Sequence, residues 1–357
     1  MKSLLALTLI CCATLAHADP AWDALVEAAR KEGKVVVNGP PDPQVRKEVP
    51  AAFKARYGIT VDYIAGRTSD VASKLRAERS ANVYTLDVVL GGIQTLATSF
   101  HRDKVLDPIK PVLMLPDVTN PAKWKGGKLP FVDPEQQYIL RVFNSVTPSF
   151  YINTNEIKPG DLRSSRDLLS PKWRGKISAE DPAAAGSGSA QAARYYLQLG
   201  EEFVTKLYID QKPTISRERR QLTDWLARGT YPIALNADED EVERLRKEGM
   251  PIAAVYALSD LPAATNTGEG QIALLKNAPH PNAAKLFVNW IASKEGLEVY
   301  GRARGRAVTR NDIDEASFLP AASIPRPGTT YFDSADWALT VTEKEKIRLR
   351  MKELVGR

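Results

Sequence analysis

Several glycine- and serine-containing segments of this chain have the residue types that bind small anions. Backbone N–H groups at the start of a helix donate to anionic oxygens, and glycine lets a ligand approach the backbone closely. Serine hydroxyls also donate, and an arginine adds a bidentate, charge-assisted contact. The candidate ligand-binding residues are Arg67, Thr68, Ser69, Gly91, Gly92, Gly186, Ser187, Gly188, Ser189, Asn236 and Asp238.

Each of these segments also has a purely structural interpretation. Ser69 has the residue type of a helix N-cap, and Arg67 could be a solvated loop arginine. The run 186–189 could be a flexible lead-in to a helix, and Gly91-Gly92 could be only a turn. Asp238 begins an acidic run that suits the N-terminus of a helix. The residue types alone leave both interpretations open.

The chain lacks the motifs of common enzyme classes. It has no P-loop, no G-x-G-x-x-G and no H-E-x-x-H, and GSGSA has the wrong fifth residue for a nucleophile elbow. After residue 18 the only histidines are His101 and His280, and neither has a partner at ligand spacing. We therefore expect no enzyme activity, no cofactor and no bound metal.

The elements that would position the candidate residues alternate between helix and strand. Apolar residues at i, i+3, i+4 and i+7 from Trp22 predict a helix that ends at Gly33. Strands are predicted at 34–39, 59–65 and 86–90, and helices follow the first two. Such alternation implies crossover units and a mainly parallel sheet. The candidate segments at Arg67 and Gly91 then lie at the carboxyl ends of strands, where open α/β sheets bind ligands.

The rest of the chain is less regular. Proline and glycine are frequent over 107–135, and residues 138–151 are strand-like. Further elements are predicted as a helix at 189–199 ended by Gly200, a helix through Leu222 and Leu226 ended by Gly229, strands at 231–235 and 271–275, a helix from Pro281 to about Ser293, and a final helix at 342–354.

The first 18 residues read as a cleavable export signal. Lys2 is followed by an apolar run from Leu4 to Leu15, and Ala16-His17-Ala18 is a small-residue cleavage site before Asp19. An N-terminal anchor is disfavoured because no stop-transfer flank follows. A lipoprotein is disfavoured because Ile10, not a small residue, precedes Cys11. Both cysteines lie within 1–18, so the mature chain has no disulfide, which fits a bacterial periplasmic protein.

The net charge of +6 does not indicate nucleic-acid binding. Lysine and arginine alternate with aspartate and glutamate, as in EAARKEGK, which is typical of solvated helix faces. No segment after residue 18 approaches 18 consecutive apolar residues. A mild preference for small anions remains consistent with the charge.

Several segments taken together resemble the periplasmic solute-binding proteins of ABC importers, in the group that includes ferric-iron, thiamine, polyamine and phosphonate binders. The resemblance covers nearly all of the chain after the signal. Its carriers, in order, are AAFKARYGITVDYIAGRTSDVASKLRAE, LDVVLGG, YINTNEI, LLSPKWRGKISAEDP, GSGSAQAARYYLQLGEEF, LARGTYPIAL and NAPHPNAAKLFVNWIASKEGLEVYG.

The resemblance implies a two-lobed α/β fold of the type II periplasmic-binding class, with two crossover strands and a ligand cleft between the lobes. Residues 19–145 and 262–357 would form one lobe, and residues 146–261 the other. It also implies a monomeric periplasmic protein that captures a small anionic or zwitterionic organic solute and delivers it to an inner-membrane ABC permease. A chemoreceptor-coupled binding protein would have the same cleft.

The alternative is a ferric-iron-binding protein of an iron ABC importer. The iron-binding members present two adjacent tyrosines after the strand that resembles TYPIAL, but this chain has Asn236-Ala237-Asp238 there. The pair Tyr195-Tyr196 lies inside a predicted helix, where adjacent side chains point about 100° apart, which suits packing. Iron binding is therefore the less favoured interpretation.

Overall fold

The first strands of the chain form a parallel core as the alternation predicts. A computed structural model describes residues 19–184 and 186–356, so the expected signal peptide at 1–18 lies outside the described residues. The strands are β1 (Lys34–Gly39), β2 (Thr60–Ala65), β3 (Val88–Gly91), β4 (Leu106–Asp107), β5 (Ile139–Arg141), β6 (Ser145–Thr147), β7 (Phe150–Asn153), β8 (Ile177–Glu180), β9 (Thr214–Ser216), β10 (Ile233–Leu235), β11 (Ile252–Val255), β12 (Ala264–Asn266), β13 (Gln271–Leu275) and β14 (Phe332–Asp333).

Helices alternate with these strands and bury one face each. The α-helices are α1 (Pro20–Glu32), α2 (Pro43–Tyr57), α3 (Thr68–Ser80), α4 (Ile93–Thr95), α5 (Pro116–Thr119), α6 (Ser187–Leu199), α7 (Glu201–Thr205), α8 (Arg219–Ala227), α9 (Glu239–Lys247), α10 (Pro281–Ala292), α11 (Lys294–Arg304) and α12 (Lys344–Leu354). Three segments with wider, π-type turns adjoin α4, α7 and α12, at Leu96–His101, Lys206–Asp210 and Leu339–Glu343. No helix among the described residues is both long and apolar enough to cross a bilayer.

The described residues form three sheets. The first has the order β2-β1-β3-β13-β4, with β5 also paired to β13, and the second has the order β11-β7-β10-β8-β9. β1, β2 and β3 are parallel, but β13 is antiparallel to β3. The sheet is thus mixed and not mainly parallel. The chain reaches β13 only after it has passed through the second sheet, and β13 runs in the direction opposite to β3.

A small third sheet joins the other two. The chain leaves the first sheet through β6 and returns through β12, and these two strands pair antiparallel. β14 pairs parallel to β12 and completes this sheet. The strand-like run predicted at 138–151 is therefore three short strands, because the chain changes sheets within it.

Each large sheet has its own hydrophobic core. On one face of the first sheet, Phe53 of α2 packs against Phe287 and Trp290 of α10, with ring centroids 5.2 and 5.3 Å apart. Burial of such aromatic side chains supplies much of the stabilisation of a core. The predicted α10 is buried along nearly its whole length, and it ends at Ala292 as expected.

The C-terminal helix departs from the expected division into lobes. Ile347 and Met351 of α12 lie four residues apart on one helical face, and both are buried in the core of the second sheet with Tyr195. The expected division has all of 262–357 in the lobe of the first sheet. The lobe boundaries otherwise stay a prediction.

Close approach of α6 to β8 requires glycine at position 188. A Cβ added to Gly188 would lie 2.6 Å from the carbonyl oxygen of Asp181, a backbone atom that cannot move away alone. We expect Gly188→Ala to lower the free energy of unfolding by about 1–3 kcal/mol, the usual cost of overpacking. Gly66→Ala is the matched control, because a Cβ at Gly66 meets nothing within 4 Å. Urea denaturation of both variants measures the difference, and equal stabilities would contradict the packing argument.

Candidate functional site

A cleft between the two large sheets contains most of the candidate residues. Its part beside the crossover strands, which we call the inner cavity, has a volume of about 290 Å³ and is lined by β6, β12 and the start of α6. A wider part of about 1220 Å³, the outer cleft, is lined by the starts of α3 and α6 and by the loop before α8. Gly186, Ser187 and Arg348 line both.

The start of α3 forms one wall of the outer cleft. Arg67 occupies the N-cap position, is exposed, and makes no hydrogen bond or ion pair through its side chain among the described residues. Ser69 is also exposed in this wall, and it lies in the first turn of α3 rather than at the cap. The prediction that Ser69 caps this helix is therefore wrong, because the helix begins at Thr68.

Thr68 and Gly91 support the wall from behind instead of lining the cleft. Thr68 is buried, and its Oγ1 accepts a hydrogen bond from the N–H of Gly92 at 3.4 Å. A Cβ on Gly91 would lie 2.7 Å from that Oγ1, so glycine permits the contact between β3 and α3. Gly92 itself lines the inner cavity at the start of α4.

The start of α6 forms the opposite wall. Ser187 lines both parts of the cleft, and its hydroxyl donates to the carboxylate Oε2 of Glu180 at 2.7 Å. Ser189 lines the inner cavity but binds backbone: it donates to the carbonyl of Gly186 at 3.0 Å and accepts from the N–H of the same residue at 3.3 Å. Gly188 faces β8 and lies behind the wall.

Asn236 and Asp238 follow β10 on this side of the cleft. Asn236 has φ 71° and lines the inner cavity, and its amide Nδ2 donates to Oε2 of Glu180. Asp238 lines the outer cleft and caps α9, because its carboxylate accepts from the N–H of Glu241 at 3.1 Å. The structure thus gives Asp238 the helix-capping role that was its alternative interpretation.

Glu180 is a cleft residue that sequence reasoning missed. It ends β8, lines the outer cleft and is half-buried. Burial raises the pKa of its carboxyl, although the hydrogen bond from Ser187, the charge of Arg219 and the hydrogen bond from Asn236 act in the opposite direction. Oε2 accepts both hydrogen bonds, and Oε1 accepts none from the described residues. The available signal was an acidic residue at the end of a buried strand, in SAEDP.

Cationic side chains from later parts of the chain also line the cleft. Arg219 donates to the carbonyl of Ala237 at 2.8 Å, and Arg348 donates to the carbonyl of Ala183 at 2.9 Å. Lys344 lines the inner cavity, and Arg220 lines the outer cleft. None of these was a candidate from the sequence, because their helices carry no glycine- or serine-rich lead-in.

Ion pairs close one side of the cleft. Arg306, which follows α11, lies 2.8 Å from Glu239 at the start of α9. Arg304 at the end of α11 lies 3.4 Å from Asp240 and 2.9 Å from Glu269. The pairs with Glu239 and Asp240 join α11 and the residues after it, which pack on the first sheet, to the start of α9, which packs on the second.

The tyrosines do not form a metal site in the cleft. Tyr195 is fully buried and donates to the carbonyl of Ser149 at 3.0 Å, and Tyr196 donates to Glu201 at 2.8 Å. Among the described residues, Tyr151 alone of the tyrosines lines the inner cavity or the outer cleft.

A cluster of His101, Asp133 and Glu135 has the residue types of a metal site, but none of the three lines the cleft. Both Asp133 oxygens already accept backbone N–H groups.

The structure therefore brings together eight of the eleven candidates. The residues that line the inner cavity or the outer cleft are Arg67, Ser69, Gly92, Gly186, Ser187, Ser189, Asn236 and Asp238. The other three, Thr68, Gly91 and Gly188, hold the walls in place.

Comparisons with known proteins agree with this architecture. Iron-bound HitA from Pseudomonas aeruginosa is 17% identical with a TM-score of 0.66, and the match covers 91% of this chain and 99% of that one. The periplasmic binding protein AfuA from Actinobacillus pleuropneumoniae, with fructose-6-phosphate bound, is 19% identical with a TM-score of 0.64 and the same coverage. An uncharacterised protein of Haemophilus influenzae is 24% identical over an alignment of 291 positions, and the match covers 77% of this chain and 78% of that protein.

The structural matches confirm the two-lobed periplasmic-binding fold of type II. A family model described as bacterial extracellular solute-binding protein matches residues 48–325, which is most of the chain. This chain is thus a member of the bacterial extracellular solute-binding protein family, a family of binding proteins rather than enzymes.

Proposed function

We propose that this protein captures a small organic solute, anionic or zwitterionic, in the periplasm and delivers it to an inner-membrane ABC permease. The observation that carries the proposal is a pair of open groups of opposite charge in one cleft. The Arg67 guanidinium has no partner among the described residues, and Oε1 of Glu180 accepts no hydrogen bond from them. An anionic group suits Arg67, and a hydroxyl or ammonium suits Glu180.

Family membership and the predicted export signal support the periplasmic role. The expected motion is closure of the two lobes about β6 and β12, because a solute that contacts both walls favours the closed state. Small-angle scattering with and without a saturating solute measures this closure. An unchanged radius of gyration at saturation would count against the hinge.

The residues of the cleft disfavour ferric iron as the solute. Iron-bound HitA shows that this fold accommodates iron. Of the described tyrosines, Tyr151 alone lines the cleft, and the carboxylates of Glu239 and Asp238 are already engaged with Arg306 and with the backbone of α9. AfuA with bound fructose-6-phosphate shows that the fold also accommodates a phosphorylated sugar, which has both an anionic group and hydroxyls.

A thermal-shift panel tests the proposal directly. Sugar phosphates, phosphonates, dicarboxylates, amino acids and ferric citrate are compared with neutral sugars. A solute at 100 times its dissociation constant adds about 2.7 kcal/mol to the free energy of unfolding, which is readily measured. Stabilisation by ferric iron alone would overturn the organic-solute proposal, and the absence of any response would overturn solute capture from this panel.

Arg67 is expected to contribute to affinity and not to folding. Arg67→Ala removes a charge-assisted contact of about 1.5–3 kcal/mol, which corresponds to roughly a 10- to 150-fold loss of affinity. Arg46→Ala is the matched control, because Arg46 is also exposed but lines neither the inner cavity nor the outer cleft. Titration calorimetry with the solute that gives the largest thermal shift compares the two variants. Equal affinities would remove Arg67 from the site.

Glu180 is expected to make stability depend on pH. Because burial raises the pKa of Glu180, its ionised form is less favourable in the folded chain than in the unfolded one. The contribution of Glu180 to the free energy of unfolding is therefore fully present at acid pH. It is lost as the pH rises from the ordinary carboxylate pKa through the raised pKa of the folded chain. Glu180→Gln keeps an acceptor for Ser187 and Asn236, so we expect it to stabilise the protein at neutral pH and not at acid pH.

Denaturation curves across this pH range measure the effect of Glu180→Gln. Glu202→Gln is the control with the opposite sign, because Lys206 holds the pKa of exposed Glu202 below its usual value. Equal stability of Glu180→Gln and wild type at every pH would show that burial of this carboxylate carries no cost.

A further inference from the structure

The C-terminal segment passes along the ligand cleft and contacts both sides of it. β14 pairs with β12 of the joining sheet, and α12 packs on α6 beyond the cleft. On the way, the carbonyl of Thr340 accepts a hydrogen bond from the side chain of Gln94, which also lines the inner cavity. From this segment Ser334, Lys344, Glu345 and Arg348 line the inner cavity.

Lys344 brings an unneutralised cation into this cavity. Its ammonium donates to the carbonyl of Ser334 at 2.6 Å and lies 3.5 Å from Oγ1 of Thr340. A lysine ammonium has three donors, so one hydrogen lacks a protein acceptor. Lys344 forms no ion pair with any residue that the structure describes, and both of its partners are neutral.

Neither of the carboxylates near Lys344 forms an ion pair with it. Asp333 lies 2.7 Å from the guanidinium of Arg141, and Asp336 accepts from the N–H of Leu339 at 2.8 Å. Their charges raise the pKa of Lys344, but burial has the larger effect and lowers it to about 8.

Among the described residues, both carboxylates that line the inner cavity form ion pairs. Glu345 lies 2.6 Å from Arg348, and Glu239 lies 2.8 Å from Arg306. Arg194 also lines the inner cavity, but it is buried: it donates to the carbonyl of Pro262, forms no ion pair with a described residue, and its Nε has no hydrogen-bond partner. Lys344 and Arg194 are thus the cavity cations without an ion pair among the described residues, and Lys344 is the less buried of the two.

We propose that Lys344 binds an anionic group of the solute, a carboxylate, phosphate or phosphonate, inside the inner cavity. This inference rests on the function proposed above and specifies which group of the solute lies in the inner cavity. The inner cavity and the outer cleft share Gly186, Ser187 and Arg348, so the two parts adjoin, and a solute that extends from one into the other would contact Lys344 at its anionic end. Capture weakens in alkaline solution, because the neutral amine no longer attracts an anion.

Chemical modification tests whether an anion sits on Lys344. The whole mature protein is acetylated with limiting acetic anhydride, with or without inorganic phosphate or fructose 6-phosphate, and each lysine is quantified by mass spectrometry. Lys346 is the internal control, because it lies on the same helix with its side chain exposed and lines no part of the cleft. We expect both anions to protect Lys344 relative to Lys346. Absence of selective protection by either anion overturns the inference.

Calorimetry with fructose 6-phosphate supplies the second readout. Between about pH 7 and about pH 9 the protonated fraction of a group with pKa about 8 falls roughly tenfold, and affinity should fall in step. Lys344→Arg should keep its affinity at alkaline pH, Lys344→Gln should bind weakly at both, and Lys346→Gln should behave as wild type. A Lys344→Gln protein with wild-type affinity and the wild-type pH slope overturns the assignment.

The outcomes separate this inference from the proposed function. If an organic anion binds and Arg67→Ala weakens it while Lys344 stays unprotected, the function stands and the role of Lys344 is wrong. If no organic solute of the thermal-shift panel binds, both are wrong.

Discussion

The antiparallel pairing of β6 with β12 is the constraint on which the cleft depends. Three residue pairs, from Ser145 with Asn266 to Thr147 with Ala264, join the two large sheets. Because so narrow a ladder connects them, the sheets keep separate cores and leave a gap between their facing helix termini. Thr147 and Asn266 line that gap as part of the inner cavity, so the connection between sheets is also part of the site.

Charge pairing determines which groups in this gap stay open. Arg306 and Arg304 engage Glu239 and Asp240, and Arg348 engages Glu345. A carboxylate or guanidinium that is already paired has its charge neutralised and few free hydrogen-bonding positions for a solute. The open groups on which the proposals rest come from distant parts of the chain: Arg67 from the start of α3, Oε1 of Glu180 from the end of β8, and Lys344 from the start of α12. This distribution matches the proposed solute, which has an anionic group and a hydrogen-bond donor.

Two of these open groups are held at a cost to folding. Burial disfavours the ionised carboxylate of Glu180 and the ammonium of Lys344, as the direction of each pKa shift shows. Neither group is neutralised by a protein ion pair in the described chain. Ionisable groups that remain partly desolvated and unpaired in a cleft are typical of functional sites, where groups needed for binding are kept although they lower the stability of the fold.

The local sequence pattern alone predicted both ends of β1 and β13 to the residue, and the start of α6 to within two residues. This is possible because a buried strand appears as a short apolar run and an amphipathic helix as apolar residues at helical spacing. Glycine, serine and charged or amide side chains at predicted strand ends and helix starts likewise indicated eight residues that reach the cleft. The sequence did not separate cleft-facing from supporting positions: Thr68, Gly91 and Gly188 lie behind the walls, since their orientation depends on packing between elements. Glu180 and Lys344 escaped notice for the same reason. The pKa of a carboxylate or an ammonium, and the hydrogen-bonding atoms that it leaves free, depend on burial and on partners far along the chain. Only the tertiary structure brings β8, α6 and α12 to one cleft.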